Sequence, residues 1–293
     1  MIFHPVTPES AETVLRYTSR QAYENCEPTL ACMMLWRESW GIGVCEQHDT
    51  LFISMRRWDT GEPIMCQPWP LDFANAAQAA DAALEEQRRL GGALRLHGVN
   101  TGFKSAVEQQ TDRFSFEPKR ESWEYIYSVS ELIELPGRRF HQKRNHCNQF
   151  YCECRFAWHT LTPDGFGMCQ AFFERWAAEK GETETIKAER TALKAAFANW
   201  DFLQLKGAWI EIGGRMAAFT VGGMINPELA VIHFEKADTT CPGIYAAMNQ
   251  MFLSSAFADV PFVNRQEDLG IEGLRRAKMS YRPVRFAEKW VMG

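Results

Sequence analysis

Along this chain, apolar positions recur at a spacing of two in some segments and 3.6 in others, and each change of spacing marks an element. Residues 2–6 read as an extended piece, and Thr7-Pro8-Glu9 reads as a helix start leading into residues 11–20. Residues 30–58 are rich in apolar and aromatic side chains, broken by Gly41-Ile42-Gly43 and His48-Asp49, which predicts an antiparallel strand region. Another strand is expected at 64–67. Residues 75–90 predict a strong helix, alanine-rich, acidic early, basic late and stopped by Gly91-Gly92. A strand at 94–99, a helix capped by Asn100 and running to 110, and one or two strands within 114–129 complete the first half.

Leu135-Pro136-Gly137 breaks the chain. Residues 138–150 predict a basic helix and 151–161 a strand. Thr162-Pro163-Asp164 opens a helix with Met168, Phe172, Phe173 and Trp176 on one side, and a second helix covers 182–200. Strands at 207–212, 215–225 and 229–236, joined at Gly213-Gly214 and Asn226-Pro227, predict an antiparallel meander. A helix at 244–257, a strand at 262, an amphipathic helix and a strand at 284–291 close the chain. The order is strand, two helices, three strands, helix, strand, helix, strand, which is the order of the GNAT-type acyl-CoA N-acyltransferase fold. The first half follows it less cleanly. The expected architecture is α+β: two tandem GNAT-type domains, 1–134 and 135–293, each a mixed, mostly antiparallel sheet flanked by helices.

Composition narrows the class. The chain is 46% hydrophobic and 24% charged, a globular balance, and its net charge of −5 provides no global basic field for nucleic acid, so any anion site must be a local patch. Nine cysteines without a disulfide-like rhythm suit a reducing, cytoplasmic setting. The start reads as lacking a leader, and no apolar run is long enough for a membrane span. Cys152-x-Cys154 has no second pair, and His141 and His146 are five apart, so no metal site is expected.

Four segments carry a resemblance: LPGRRFHQKRNHCNQF at 135–150, VIHFEKAD at 231–238, GIYAAMNQMF at 243–252, and VNRQEDLGIEGLRRAKMSYRP at 263–283. Through them the chain resembles an uncharacterised bacterial family related to the C-terminal domain of phosphatidylglycerol lysyltransferase, and more distantly the Fem-type aminoacyltransferases. The resemblance implies an acyl or aminoacyl transferase using a thioester or a tRNA ester as donor. It also implies an amine or hydroxyl acceptor, on a peptide or a lipid head group. No tightly bound cofactor is expected; acyl-CoA or aminoacyl-tRNA would be a co-substrate. In place of the glycine-rich pyrophosphate turn of acyl-CoA members stands Asp238-Thr239-Thr240-Cys241-Pro242-Gly243, where Thr239 and Thr240 offer hydroxyls and Pro242 removes a backbone donor. The alternative reading is a non-catalytic tandem binding module.

The residues themselves point to three places. Arg139, Lys143 and Arg144 on the basic helix could grip an anion, or form an ordinary solvated face. Strand alternation places His233 and Glu235 on one face, with Ile232, Phe234 and Lys236 on the other, and a His/Glu pair suits general-base work. Asn264 and Arg265 sit at a strand tip, where sites gather, while Asp268 suits a cap for the last helix. Tyr245 and Asn249 share a helix face, but Lys278 and Tyr281 are the more natural candidates to stabilise an oxyanion or donate a proton. Against that, an exposed helix lysine is the plainer account of Lys278, and core packing that of the tyrosines.

Overall fold

The computed structural model describes residues 1–57 and 60–293. The chain forms two compact units, Met1–Trp123 with Ala287–Gly293, and Glu124–Phe286.

The first unit contains β1 (His4–Pro5), α1 (Ala11–Thr18), α2 (Leu30–Trp40), β2 (Gly43–Gln47), β3 (Thr50–Arg56), β4 (Pro63–Cys66), β5 (Trp69–Pro70), α3 (Ala76–Arg89), β6 (Leu96–Asn100), α4 (Thr101–Gln110) and β7 (Phe116–Pro118). Its sheet runs β1-β2-β3-β4-β6-β15-β7, where β15 is the C-terminal strand Lys289–Met292. The expected strand region at 30–58 therefore opens with a helix instead. Thr29 accepts a hydrogen bond from the Cys32 amide, Gly41 ends α2 in the left-handed region, and Cys32 through Leu35 are buried consecutively. A short apolar run buried on most sides has no diagnostic period, so helix and strand look alike in sequence. With α2 in place, the first unit has the complete GNAT order. The far end of that expected region, Trp58, lies outside the described residues.

The second unit contains β8 (Glu124–Ser128), α5 (Val129–Glu134), α6 (His141–Glu153), β9 (Phe156–Thr160), α7 (Phe166–Lys180), α8 (Glu184–Ala198), β10 (Lys206–Ile212), β11 (Arg215–Asn226), β12 (Leu229–Ala237), α9 (Ile244–Ala256), β13 (Phe262–Asn264), α10 (Glu272–Met279) and β14 (Arg285–Ala287). Its sheet runs β14-β8-β13-β12-β11-β10-β9. The boundary falls at 123/124 rather than 134/135, because β8 pairs with β13 (Phe262 with Ser128, Asn264 with Ile126). The expected final strand is likewise two strands: β14 joins the second sheet and β15 joins β6 and β7 of the first.

The core of the second unit clusters Tyr125, Tyr127, Phe140, Ile232, Phe252 and Val263 between the sheet and α6 and α9. On the opposite sheet face, Phe172 of α7 packs edge-on against Phe219 of β11. Among the described residues no helix is long and apolar enough to cross a membrane.

Candidate active site

The site begins where two parallel strands part. β12 and β13 pair only from Leu229–Phe262 to Val231–Asn264. Beyond that, β12 continues along β11 to Ala237, while β13 stops and its chain turns away. Gln266 and Leu269 take positive φ (58° and 54°), a conformation side chains adopt reluctantly, so tertiary contacts must hold this crest.

Asp268 supplies those contacts. It is fully buried and accepts from the Tyr125 hydroxyl at 2.6 Å, from Arg275 Nε at 2.8 Å and Nη2 at 3.0 Å, and from the Gly270 amide at 2.8 Å. Burial pushes its carboxyl up, but Arg275, Tyr125 and the Gly270 N–H outweigh that and hold it at about 2. Its part is thus larger than the expected cap. It ties α10 to β8, while the N-cap residue itself is Ile271, whose side chain makes no capping bond. One strand position away, Asn264 donates to Glu124, both fully buried, and accepts from the Gln266 amide at 2.7 Å.

Arg265 reaches back across the gap. Its Nη2 donates to Glu235 Oε1 at 2.8 Å, with the two side chains 13% and 12% exposed. Burial opposes the guanidinium charge, yet Glu235 and the phenols of Tyr281 and Tyr127 hold its pKa above the ordinary arginine value. Its guanidinium lies 4.7 Å from the Tyr281 ring centre, and Lys143 Nζ lies 3.8 Å from the same centre. Lys278 donates to the carbonyls of Arg265 and Gln266. Tyr127 donates to the Lys278 carbonyl at 2.9 Å. Burial, then the Arg265 charge, lowers both Lys143 and Lys278 to about 8, and burial raises Tyr281 to about 12. Lys278 is therefore no solvated helix lysine, and the plainer reading fails for it.

His233 is not a member of this group. The β11–β12 register shifts between Val221 and Gly222, leaving His233 as an extra residue between the pairs Ile232–Gly222 and Phe234–Val221. A Cβ on Gly222 would meet Phe252 and Phe257, whereas one on Gly223 would lie 3.6 Å from His233 Nε2. After the bulge Glu235 turns to the α9 face and Arg265, and Lys236 turns to Glu189 on α8 at 2.6 Å. The expected alternation is thus broken by one residue, and His233 and Glu235 face opposite ways. Both His233 ring nitrogens are buried without partners, and burial lowers the ring to about 4, so it is a neutral core imidazole.

The expected anion grip also divides. Arg139 pairs with Glu131, and Arg144 donates to the carbonyls of Leu135 and Gly137, which end α5. Only Lys143 of the three turns toward the site. At the start of α9, the Thr240 amide and hydroxyl both donate to Asp238 Oδ1, at 2.9 and 2.7 Å, and Thr239 is exposed. Gly243, at φ 81°, lies so close to α6 that a Cβ would sit 1.9 Å from the His146 carbonyl oxygen. Tyr245 is partly buried, with its pKa raised by burial, and Asn249 is buried with its Nδ2 unpartnered.

Sequence reasoning missed Glu124, Tyr125, Tyr127 and Arg275. The first three precede the expected domain boundary, and the i, i+3 spacing of Arg275 and Lys278 was the available clue to a shared helix face. In the first unit the equivalent parallel pair, β4 and β6, stays closed. The Gln67 amide donates to the His97 carbonyl at 3.0 Å, and its buried side chain accepts from the Asn100 amide at 2.8 Å.

The sequence matches the family described as phosphatidylglycerol lysyltransferase, C-terminal, over residues 19–293. The chain belongs to this family. A conserved protein of unknown function from Bacteroides thetaiotaomicron is similar at 30% identity, with a TM-score of 0.87, over 100% of this chain and 99% of that one. L-PGS from Bacillus licheniformis is 14% identical, with a TM-score of 0.68 over 100% and 93% of the two chains. FemX shares the fold at 8% identity and a TM-score of 0.58, over 99% and 97%. No curated protein matches the sequence. The lysyltransferase family and the tandem GNAT fold thus stand together, with the parted strands in the second unit.

Proposed function

We propose that this member of the lysyltransferase family is an aminoacyltransferase, moving an aminoacyl group from a tRNA ester to an amine or hydroxyl acceptor. The observation that carries the reading is the cluster at the parting of β12 and β13: Glu235, Arg265, Lys278 and Tyr281, buried together beside a splayed sheet edge. The nucleophile attacks the ester carbonyl, and its proton passes to Glu235 Oε2, which is buried without a hydrogen-bond partner. Arg265 holds the other carboxylate oxygen, Oε1, at 2.8 Å and so fixes the orientation of Oε2. Charge develops on the carbonyl oxygen, and the Lys278 ammonium, fixed by two backbone carbonyls, meets it with its remaining N–H. The ester C–O bond then breaks. Tyr281, protonated at neutral pH because burial holds it at about 12, gives a proton to the departing ribose alkoxide. Glu267, whose charge acts on Lys278, suits the ammonium of the aminoacyl group.

The start of α9 favours an ester donor over acyl-CoA. Thr240 is engaged by Asp238, Pro242 has no N–H, the Ile244 amide donates to the Cys241 carbonyl, and α6 lies against Gly243. A pyrophosphate would find few free donors there.

The test supplies the purified chain with a mixture of radiolabelled aminoacyl-tRNAs and two acceptors, phosphatidylglycerol vesicles and a free peptide amine. Label should reach one acceptor and be lost with Lys278→Ala. Millimolar acetyl-coenzyme A should leave the melting temperature unchanged. A saturable rise with acetyl-coenzyme A, or transfer to neither acceptor, would overturn the proposal.

A further inference from the structure

Among the described residues, Lys143 has no counter-charge. The basic residues beside it in sequence are accounted for: Arg139 pairs with Glu131, and Arg144 binds two backbone carbonyls. Among the described residues, the Lys143 ammonium has neither a carboxylate nor a hydrogen-bond acceptor, only the Tyr281 ring at 3.8 Å. A cation over a ring recovers part of the cost of leaving water but neutralises nothing. Arg265, of like sign, lies over the same ring at 4.7 Å and its charge acts on Lys143.

The site is therefore polarised. At the Lys278 end, the carboxylates of Glu235, Glu267 and Glu124 offset the positive charge. At the Lys143 end, no carboxylate does so, and burial together with Arg265 lowers the amine. A half-buried ammonium facing a second cation is costly unless something anionic arrives. Glu235 already takes one edge of Arg265, so the incoming group must bring its own charge.

We infer that Lys143, in the field of Arg265, anchors a phosphate ester carried by one of the substrates. Three ammonium N–H groups match an anion with several oxygens around one centre better than a two-oxygen carboxylate. The inference rests on the transfer reading only for which substrate brings the phosphate; the binding itself needs no transfer.

The experiment titrates the full chain, without any donor, with sodium phosphate and separately with sodium acetate at fixed ionic strength. Heat of binding and melting temperature are followed. Phosphate should bind saturably, and acetate should bind much more weakly. Lys143→Met should weaken phosphate binding roughly tenfold or more, while Lys143→Arg stays within about threefold. Arg139→Ala should change nothing. If the methionine variant does not fold, Lys143→Gln replaces it. Glycerol 3-phosphate and dihexanoyl phosphatidylglycerol, below its micelle concentration, identify the source. Tighter binding of the lipid assigns the site to a head group, and tighter binding of glycerol 3-phosphate to a free phosphate ester. Equal affinity for acetate and phosphate, or wild-type phosphate affinity in both neutral variants, would refute the inference. Saturable phosphate binding in a protein that transfers nothing would leave it standing and sink the transferase reading alone.

Discussion

Asp268→Asn is the sharpest test of how the crest is held. The substitution keeps the shape and removes the charge on which Tyr125, Arg275 and the Gly270 amide converge. The carboxyl is held at about 2 in the folded protein against an ordinary 3.8, a difference worth about 2 kcal/mol at neutral pH. The new amide N–H also faces the Arg275 guanidinium, adding up to about 1 kcal/mol. Arg275 is 38% exposed and can return to water, which limits the total to about 2–3 kcal/mol. For a unit of this size that is a fall of roughly 4–10 °C in melting temperature. The sign with pH follows from the lowered pKa. The stabilisation is complete above 3.8 and is lost as pH falls toward 2, so wild type and variant should differ fully at pH 5–8 and converge below about pH 4. Urea denaturation followed by circular dichroism at pH 7, 5, 4 and 3 measures both. Limited proteolysis should cut the variant faster within residues 265–282. A difference under about 0.5 kcal/mol at pH 7, or one that does not narrow below pH 4, would refute the claim that Asp268 holds the crest after β13.

Three further outcomes are expected. Glu235→Gln should lower the transfer rate by about 10²–10⁴-fold, yet cost under about 2 kcal/mol in urea, because the amide oxygen still accepts from Arg265. Because Lys278 deprotonates near 8, transfer should fall as pH rises through that value; a pH–rate profile of Lys278→Arg should lose that fall, whatever its absolute rate. Gly243→Ala places a methyl on the His146 carbonyl at a backbone angle alanine resists, and calorimetry should show a loss of about 2–4 kcal/mol.

Much of the fold was legible because its signals are local. The helix at 75–90, the Asn100 cap, the meander from 207 to 236 and the last helix are written in period, caps and glycine turns, and the structure places them within a few residues. The errors have local physical reasons too. Leu30–Trp40 is apolar without a usable period, and the long final strand is divided because its two ends pair with different sheets. Arg265, Lys278 and Tyr281 were singled out because strand tip and helix face are sequence properties, and the structure brings the three side by side. His233 was misplaced because a bulge cannot be seen in alternation alone. Glu124 and Tyr125 were missed because they lie before the apparent break at Leu135-Pro136-Gly137.

The sequence by itself determined the element order, the tandem α+β plan, and which polar residues end near a strand tip, since these depend on neighbours a few positions away. Only the tertiary structure decided which charges meet. It paired Arg265 with Glu235 across 30 residues, and Asp268 with Tyr125 across 143. It sent Lys143 inward while Arg139 and Arg144 turned to other partners. It also closed the strand pair in the first unit and left the one in the second parted. A charge acquires its pKa and its chemical use from burial and partners, and those come from chain segments far apart in sequence.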